Sequence, residues 1–447
     1  MNEQFATYDA AISWLMQSTD YERMRRVRYN ADTFNLDRMA RLAAAVGNPE
    51  RRFRSVHVAG TKGKGSTAAM IEAILRVHGL RTGLYTSPHL VDLRERIQID
   101  RRWIDEDAMR RAVRRVADAR DRELHGESPT FFELLTAIAF LCFDDARVDA
   151  AVVEVGLGGR LDSTNIITPE VSVITHVSID HVHQLGADLA GIAREKAGII
   201  KAGVPLVLAP QAPVAEAVID EAARSAGAPV IRLGKDVRVD WWKAFDAARP
   251  ASRVAVHTAQ SVYDDLLIPL AGRVQGTNAA CAIAAAETFL GDRLDVRHVH
   301  DALAALDWPG RMQAFPGEPT VVLDGAHNAD SLRQLLVSVA EYYPGRRTAI
   351  VFACAADKDI AGMMRVLADD DAPVIFTRTD NPHAADPEEL ADALRAAGGT
   401  VLDASPEPAD ALRSARRSAG PRGVVVVCGS LYLVGAVLAA PDRFGLA

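Results

Sequence analysis

Short β-branched runs, each followed by a glycine-rich or polar loop and then by a helical pattern, recur at least six times along the chain. This order predicts a parallel sheet with crossover helices. The clearest unit has a strand at 55–59, a loop at 60–66 and a helix that ends at Gly79. Further strands are predicted at 82–85, 150–155, 171–176, 320–323, 348–353, 373–377 and 423–427. Because ligands bind beyond the carboxyl ends of parallel strands, we expect the functional residues there.

The pattern also divides the chain into two α/β domains. Between 237 and 269 it loosens into short alternating runs, which predict a few antiparallel strands as an excursion within the first domain. A helix predicted over 299–306 then gives way to a Pro-Gly break, after which new strand–helix units begin. We therefore predict domains at 1–306 and 307–447.

The composition is that of a globular protein and excludes disorder, collagen and coiled coil, since 49% of the 447 residues are hydrophobic and 25% are charged. The net charge of −8 argues against nucleic acid as a partner. The four cysteines lie far apart without a C-x-x-C pair, which indicates a reducing compartment.

The uncharged stretch 423–440 reaches the lower length limit of a membrane span. Its β-branched run, Gly-Ser turn and following apolar segment fit a buried strand, a turn and a helix better. The first 26 residues lack the apolar core of a secretion signal. We expect a cytoplasmic monomer that does not enter a membrane.

The loop 60–66, Gly-Thr-Lys-Gly-Lys-Gly-Ser, lies between a predicted strand and a predicted helix, as a phosphate loop must. Its glycines let backbone N–H groups turn onto phosphate oxygens, and Lys64 and the helix dipole add positive charge. It departs from G-x-x-x-x-G-K-[ST], because Val58 takes the first glycine position and Gly65 separates Lys64 from Ser66. A plain glycine-rich connection is the alternative. The two lysines favour a nucleoside triphosphate, so the first domain is predicted to be a P-loop-containing NTPase domain with a mostly parallel sheet.

Three polar residues, Ser87, Glu154 and His181, end or follow strands predicted beside this loop. Glu154 interrupts an apolar strand, where a bare carboxylate is heavily penalised and needs a cation. An ion pair with Arg160 or another basic residue is the alternative for Glu154, and a lone histidine is more often structural than a ligand. Together the three suit Mg²⁺ held largely by oxygens and shared with the triphosphate.

Three further features have structural alternatives. Lys196 lies at a predicted helix end, where spacing alone would make it a solvated lysine. Asp324 and His327 follow the strand 320–323, and we favour a cleft position over a simple Asx turn. Arg311, at the domain junction, could reach phosphates or form an interface ion pair.

These motifs together resemble folylpolyglutamate synthase and bifunctional dihydrofolate synthase, members of the Mur ligase superfamily of ATP-dependent amide-forming ligases. The resemblance spans nearly the whole chain in nine ordered segments, 57–66, 85–90, 154–165, 180–181, 194–199, 308–311, 324–328, 357–359 and 429–432. The chief departure is Lys62, where most bacterial members are expected to have Asn; the Gly-Lys-Gly-Ser core is intact. The fold implied for the second domain is a smaller Rossmann-like α/β domain.

The resemblance implies a role for each matching residue. ATP binding is implied for Gly63, Lys64, Gly65, Ser66, Asn278, Arg311 and Asp324. Two Mg²⁺ ions are implied at Ser87, Glu154 and His181, and Lys196 matches a lysine that is carbamylated in this family. Folate or pteroate binding is implied for Leu36, Asp37, Arg38, Thr130, Phe131, Phe132, Glu133, Leu161, Asp162 and Ser163. His327 and Ser430 would line the glutamate side, and catalysis would rest on Lys64, Lys196, His181 and Arg311.

The implied reaction is the ATP-dependent addition of L-glutamate to a folate through an acyl phosphate, with dihydropteroate left open as a second acceptor. Two other functions remain open from the sequence. A Mur-type ligase of cell-wall precursors is disfavoured by Gly65 and by the segment 87–90. A nucleotide-dependent binding switch is disfavoured because the guanine-specific Asn-Lys-x-Asp motif is absent and the segment 357–359 lacks its Asn.

Overall fold

The computed structural model describes residues 5–20, 30, 33–124, 126–180, 182–186, 188–246, 248–291 and 294–446. The helices are α1 (Tyr8–Met16), α2 (Leu36–Ala45), α3 (Lys64–Val77), α4 (Glu106–Glu123), α5 (Phe131–Ala146), α6 (Val182–Leu185), α7 (Leu189–Ala197), α8 (Pro213–Ser225), α9 (Arg273–Leu290), α10 (Val296–Ala304), α11 (Ala329–Tyr342), α12 (Ile360–Ala368), α13 (Pro387–Ala396), α14 (Pro408–Ala419) and α15 (Leu431–Ala439). The first strands are β1 (Arg54–Ala59), β2 (Thr82–Tyr85), β3 (Ile97–Ile99), β4 (Arg102–Trp103), β5 (Ala150–Glu154), β6 (Val171–Ile174), β7 (Leu206–Leu208) and β8 (Val230–Arg232). The remaining strands are β9 (Arg238–Phe245), β10 (Ala251–His257), β11 (Val262–Ile268), β12 (Gln313–Phe315), β13 (Thr320–Leu323), β14 (Thr348–Phe352), β15 (Val374–Phe376), β16 (Val401–Ala404) and β17 (Val424–Cys428).

The chain forms two compact units, each of which is discontinuous in sequence. The first comprises Met1–Asp240, Val256–Asp264 and Thr277–Leu303. The second comprises Trp241–Ala255, Asp265–Gly276 and Ala304–Ala447. The domain boundary after residue 306 stays a prediction.

The segment 237–269 forms a three-stranded sheet in the order β11-β10-β9, and its residues are divided between the two units. The interpretation of this segment as an excursion within the first domain is therefore incomplete. Long-range side-chain packing provides the physical reason. Tyr342 of α11 donates its hydroxyl proton to the Ala251 carbonyl, and its ring packs edge-on against Trp242, with ring centroids 6.3 Å apart.

The first unit is built on an eight-stranded sheet in the order β4-β3-β2-β5-β1-β6-β7-β8. Six of these strands are parallel, whereas β3 and β4 are antiparallel to their neighbours. The register pairs Val58 with Glu154, Tyr85 with Val153 and Ala59 with Ile174. The carboxyl ends of β1, β2, β5 and β6 therefore meet at one edge, as the sequence predicted.

Two apolar clusters build the core of this unit. One joins α1, α2, α4 and α5 to residues of β2 and β5, and the other joins α7 and α8 to residues of β1, β6 and β7. Reciprocal hydrogen bonds start α5 at a defined residue, because the Thr130 side chain accepts from Glu133 N and Glu133 accepts from Thr130 N. That capping box fixes two residues of the predicted acceptor site.

The second unit contains a six-stranded sheet in the order β12-β13-β17-β14-β15-β16, parallel except for the edge strand β12. Within 423–440, the strand, turn and helix predicted from the sequence are present as β17, Gly429-Ser430 and α15. In the described part of the chain, no helix combines the length and the apolarity that crossing a membrane requires. All four cysteines are buried and free of disulfides.

The helix predicted over 299–306 is α10, Val296–Ala304, and it begins earlier than expected. The Asp295 carboxylate accepts from Arg297 N at 2.8 Å, which caps the helix at that point.

Candidate active site

The phosphate loop connects β1 to α3 and is anchored on the residues that follow β6. Thr61 N and Lys62 N both donate to the His176 carbonyl, at 2.8 and 3.1 Å. The Thr61 hydroxyl donates to Ser178 O at 3.0 Å and accepts from Ser178 N at 3.1 Å. Helix α3 begins at Lys64, so the loop ends at a helix N-terminus, as predicted for phosphate binding.

Gly63 and Asn278 lie against each other at the start of α3. Gly63 has φ +83°, and a Cβ at this position would collide with the Asn278 side chain. Asn278 belongs to α9 and is buried. The fold therefore brings together two of the residues predicted to bind ATP, although they are far apart in sequence.

Lys196 is the last but one residue of α7 and is buried rather than solvated. Its Nζ donates to the Gly60 carbonyl oxygen at 2.7 Å. Burial, reinforced by the positive charge of Lys64, lowers the pKa of Lys196 to about 7. A substantial part of the amine is therefore neutral at physiological pH, and the solvated alternative is wrong.

Lys62, the chief departure from the family pattern, forms an ion pair with Asp180. Lys62 Nζ lies 3.6 Å from Asp180 Oδ2, and the two side chains are 16% and 8% exposed. The extra positive charge is thus balanced beside the phosphate loop, which explains how the Gly-Lys-Gly-Ser core accommodates it.

Glu154 is buried at the end of β5, and its Oε2 accepts from Ser87 N at 3.1 Å. Arg160, the partner considered for Glu154, forms an ion pair with Glu195 at 2.9 Å. Ser87 and Glu154 offer oxygen donors, the kind that Mg²⁺ prefers. His181 lies outside the described residues, and among the described ones no group of three His, Cys, Asp or Glu side chains converges as a metal site. The donor set fits Mg²⁺ provided that the triphosphate supplies further oxygens.

The loop after β5 is tied to the end of α7. Arg160 N donates to Glu195 O at 2.7 Å, and the Asn165 amide donates to the carbonyls of Arg160 and Gly198 at 3.0 Å each. Since Lys196 lies between Glu195 and Gly198, this loop helps to place the buried amine.

The elements predicted to bind folate converge in the first unit, where α2 packs against α5 and against the turn Ser163–Ile166. Arg38 of α2 forms an ion pair with Glu133 of α5 at 2.8 Å. Burial differs among the remaining members of the set: Asp37 is exposed, Leu36, Phe132 and Leu161 are half-buried, and Thr130, Phe131, Asp162 and Ser163 are buried.

In the second unit, the predicted residues lie at the carboxyl ends of β13 and β17. The Asp324 carboxylate accepts from Met312 N at 2.9 Å and from Ala326 N at 2.8 Å, so the Asx turn considered from the sequence is present. His327 Nδ1 lies 2.8 Å from the Gly325 carbonyl, and the Arg311 guanidinium lies against Gly325. Ser430 caps α15 by accepting from Tyr432 N.

Comparison with known proteins places this arrangement in a family. The model of the Mur ligase middle domain matches residues 58–286, and that of the Mur ligase glutamate ligase domain matches 310–431. The chain is 34% identical over 439 residues to the dihydrofolate synthase/folylpolyglutamate synthase of Bacillus subtilis, covering 96% of this chain and 98% of the relative. The chain belongs to the folylpolyglutamate synthase/dihydrofolate synthase family of Mur ligases.

A solved structure of this family has the same fold. Folylpolyglutamate synthase of Mycobacterium tuberculosis, complexed with ADP and AMPPCP, superimposes with a TM-score of 0.87 and 34% identity, covering 99% of each chain. A Haloferax volcanii protein named probable bifunctional folylpolyglutamate synthase/dihydropteroate synthase is 36% identical over 433 residues, which is 96% of this chain. The chain spans only 50% of that longer relative.

Two buried polar residues of this Mur ligase were missed by the sequence reasoning. His57 lies within β1, where it is fully buried, and its Nε2 lies 2.8 Å from Thr164 Oγ1. The criterion that singled out Glu154, a polar residue inside an apolar strand, also applies to His57 and could have found it. Thr164 gave no sequence signal, because only the tertiary contact distinguishes it from other loop threonines.

Proposed function

We propose that this protein is an ATP-dependent ligase that joins the amine of L-glutamate to a carboxylate of a folate, with dihydropteroate as the second acceptor to be tested. One observation carries the proposal: the chain matches, over nearly its full length, a folylpolyglutamate synthase complexed with ADP and AMPPCP. The B. subtilis relative is named for both activities, which supports testing both acceptors.

The chemistry begins with a carboxylate, which is a poor acyl donor. Attack of a carboxylate oxygen on the ATP γ-phosphorus forms an acyl phosphate and releases ADP. The neutral amine of glutamate then attacks the acyl carbon, the C–O bond to phosphate breaks, and the amide forms with release of phosphate and a proton. The protein contributes mainly positioning and charge neutralisation.

Lys64 and the N–H groups at the start of α3 are proposed to neutralise the phosphates, with Gly63, Gly65, Ser66 and Asn278 forming the rest of this nucleotide site in the first unit. Arg311 and Asp324 of the second unit remain predicted nucleotide contacts, and His327 and Ser430 remain predicted contacts of the incoming glutamate. The Asp324 carboxylate accepts two backbone hydrogen bonds, which is its role in the fold. Its contact with the nucleotide is part of the proposal.

Ser87 and Glu154, with His181, are the residues proposed to hold two Mg²⁺ ions, which when bound would neutralise negative charge on the phosphate oxygens. The buried Lys196 amine suits the proposed carbamylation, because its neutral form can add to CO₂ and release a proton. The carbamate would replace a buried cation with an anionic oxygen ligand beside the phosphate loop.

Incubation of the purified protein with ATP, Mg²⁺, labelled glutamate and either tetrahydrofolate or dihydropteroate tests the proposal. We expect glutamate incorporation that depends on the acceptor, with stoichiometric ADP. A UDP-sugar acid in place of the pterin should give none, whereas incorporation with that acceptor alone would support a cell-wall ligase. ATP hydrolysis at a rate that does not depend on glutamate or on the acceptor would contradict ligase chemistry.

A cytoplasmic location and a monomeric state are proposed together with this activity. Four buried, unbridged cysteines support a reducing compartment. Light scattering of the purified protein tests the monomer.

A further inference from the structure

His57 is a fully buried imidazole in the strand that leads into the phosphate loop. In β1 it is paired with Val153 of β5 on one side and with Ser172 of β6 on the other. Its Nε2 lies 2.8 Å from Thr164 Oγ1, and its Nδ1 has no hydrogen-bond partner within the part of the chain that the structure describes. A buried ring nitrogen without a hydrogen-bond partner costs folding free energy.

The partner of His57 is itself bound to a buried carboxylate. The Thr164 hydroxyl donates to Asp162 Oδ1 at 2.5 Å, and Thr164 N donates to the same oxygen at 3.0 Å. The other oxygen of Asp162 accepts from Leu157 N at 2.9 Å. Asp162 therefore closes the loop 156–162, which follows the strand that ends in Glu154.

The number of protons fixes the direction of this chain of hydrogen bonds. A threonine hydroxyl has one proton, and here that proton is donated to the carboxylate. His57 must then be the donor to Thr164, which requires the neutral tautomer with its proton on Nε2. The sequence of donors is His57 Nε2, Thr164 Oγ1 and finally Asp162 Oδ1.

We propose that His57 and Thr164 are positioning residues that hold Asp162, and through it the loop 156–162, in the geometry required to bind the pterin acceptor. This inference rests on the proposed ligase function and concerns residues outside its predicted contacts. It links the strand of the phosphate loop to the loop of the acceptor, so that the acceptor carboxylate is presented at a fixed place relative to the nucleotide.

The electrostatic environment agrees with this geometry. Burial, with a smaller contribution from the charge of Lys201, lowers the pKa of His57 to about 3, so the ring stays neutral. Burial raises the pKa of Asp162, while the hydrogen bonds from Leu157 and Thr164 oppose that rise. Loss of the Thr164 hydroxyl would therefore weaken the hold on the ionised carboxylate.

Thr164→Val and Thr164→Ser test the proposal as a matched pair, because the first removes the hydroxyl at constant volume and the second keeps it. Thr288→Val is the control, since the Thr288 hydroxyl donates to the Ala284 carbonyl of its own helix. We expect Thr164→Val to raise the KM for the pterin acceptor about 10-fold or more, because one hydrogen bond to a charged group is lost. The KM for ATP should change by less than about 2-fold. Thr164→Ser should restore the acceptor KM to within about 3-fold, and His57→Gln should fall between the two.

Nitrogen NMR of histidine-labelled wild-type protein gives a readout that does not depend on activity. We expect the His57 ring as the neutral tautomer protonated on Nε2 at neutral pH. The opposite tautomer would overturn the proposal, and so would a folded Thr164→Val that keeps the wild-type acceptor KM or a Thr164→Ser that behaves like the valine variant. A wild-type protein that adds no glutamate would instead contradict the proposed function, so the two failures are distinguishable.

Discussion

The Lys196 amine donates a hydrogen bond of 2.7 Å to the Gly60 carbonyl, although the two residues are 136 positions apart in the chain. This bond joins the end of α7 to the first residue of the phosphate loop. It also shows why spacing alone wrongly indicated a solvated side chain for Lys196, since α7 directs this lysine into the protein interior.

Carbamylation of Lys196 should be detectable directly. Because burial lowers the pKa of Lys196 to about 7, the neutral fraction of the amine rises as the pH is raised from 6 to 8. We expect a carbamate resonance in carbon NMR after addition of labelled bicarbonate, stronger at pH 8 than at pH 6. Lys196→Arg should abolish the signal, whereas Lys201→Arg should keep it. A signal that survives in Lys196→Arg would assign the carbamate to another lysine.

The two lysines of the phosphate loop should differ sharply in importance. Lys64→Ala should lower kcat/KM for glutamate addition by about 100-fold or more, because it removes a charge expected to stabilise the transferred phosphoryl group. Lys62→Asn should lower kcat/KM by much less than Lys64→Ala does, because Lys62 is paired with Asp180 and is not proposed to contact the transferred phosphoryl group. Steady-state kinetics with saturating acceptor measures both. If Lys64→Ala retained full ligation, the phosphate-loop mechanism would be abandoned.

Substitution of Gly63 and of Gly79 by alanine separates the cost of a positive φ from the cost of a steric collision with a neighbouring side chain. Both have positive φ, but a Cβ at Gly63 meets Asn278 whereas a Cβ at Gly79 meets nothing within 4 Å. Gly79→Ala should cost about 1–2 kcal/mol of unfolding free energy and leave the KM for ATP unchanged. Gly63→Ala should cost about 1–3 kcal/mol more and raise the KM for ATP. Urea unfolding measures the loss of stability, and ATP titration measures the change in nucleotide affinity. If Gly63→Ala and Gly79→Ala bound ATP equally well, the Gly63–Asn278 contact would have no role in nucleotide binding.

His57 should make the protein less stable in acid. Its pKa is about 3 in the folded protein, below the value of about 6.5 expected when unfolded, so between these limits the unfolded state binds one more proton. The contribution of His57 is fully present above pH 6.5 and is lost as the pH falls, at about 1.4 kcal/mol of unfolding free energy per pH unit. Urea titrations of wild type and His57→Gln at pH 4, 5, 6 and 7 measure it. We expect the difference in unfolding free energy between wild type and His57→Gln to change with pH at this slope. A difference that stays constant from pH 4 to pH 7 would contradict the lowered pKa of His57.

The alternating strand and helix pattern predicted the phosphate loop and eight strands of the two large sheets, but it did not predict β3, β4, β7, β8, β12 or β16. The strand predicted at 55–59 is β1, and the helix predicted to end at Gly79 ends at Val77. These elements follow from local periodicity and from glycine at the loop, both of which act over a few residues. The same reasoning placed Glu154 at a strand end, because a charged residue in an apolar run is a local signal.

Distant packing explains what the sequence left open. Nothing local divides the segment 237–269 between two units; the contact of Tyr342 with Ala251 does so. Nothing local showed that Glu133, predicted to touch the acceptor, pairs with Arg38 across α2 and α5.

Residue types and the spacing of near neighbours were enough to predict eight strands of the two large sheets, the phosphate loop and the family. Long-range packing was needed to show that Lys196 is buried, that Lys62 is paired with Asp180 and that His57 is linked to Asp162 through Thr164. Those properties arise where segments far apart in the chain exclude water together, and the loss of water is what shifts a pKa and makes a single hydrogen bond matter.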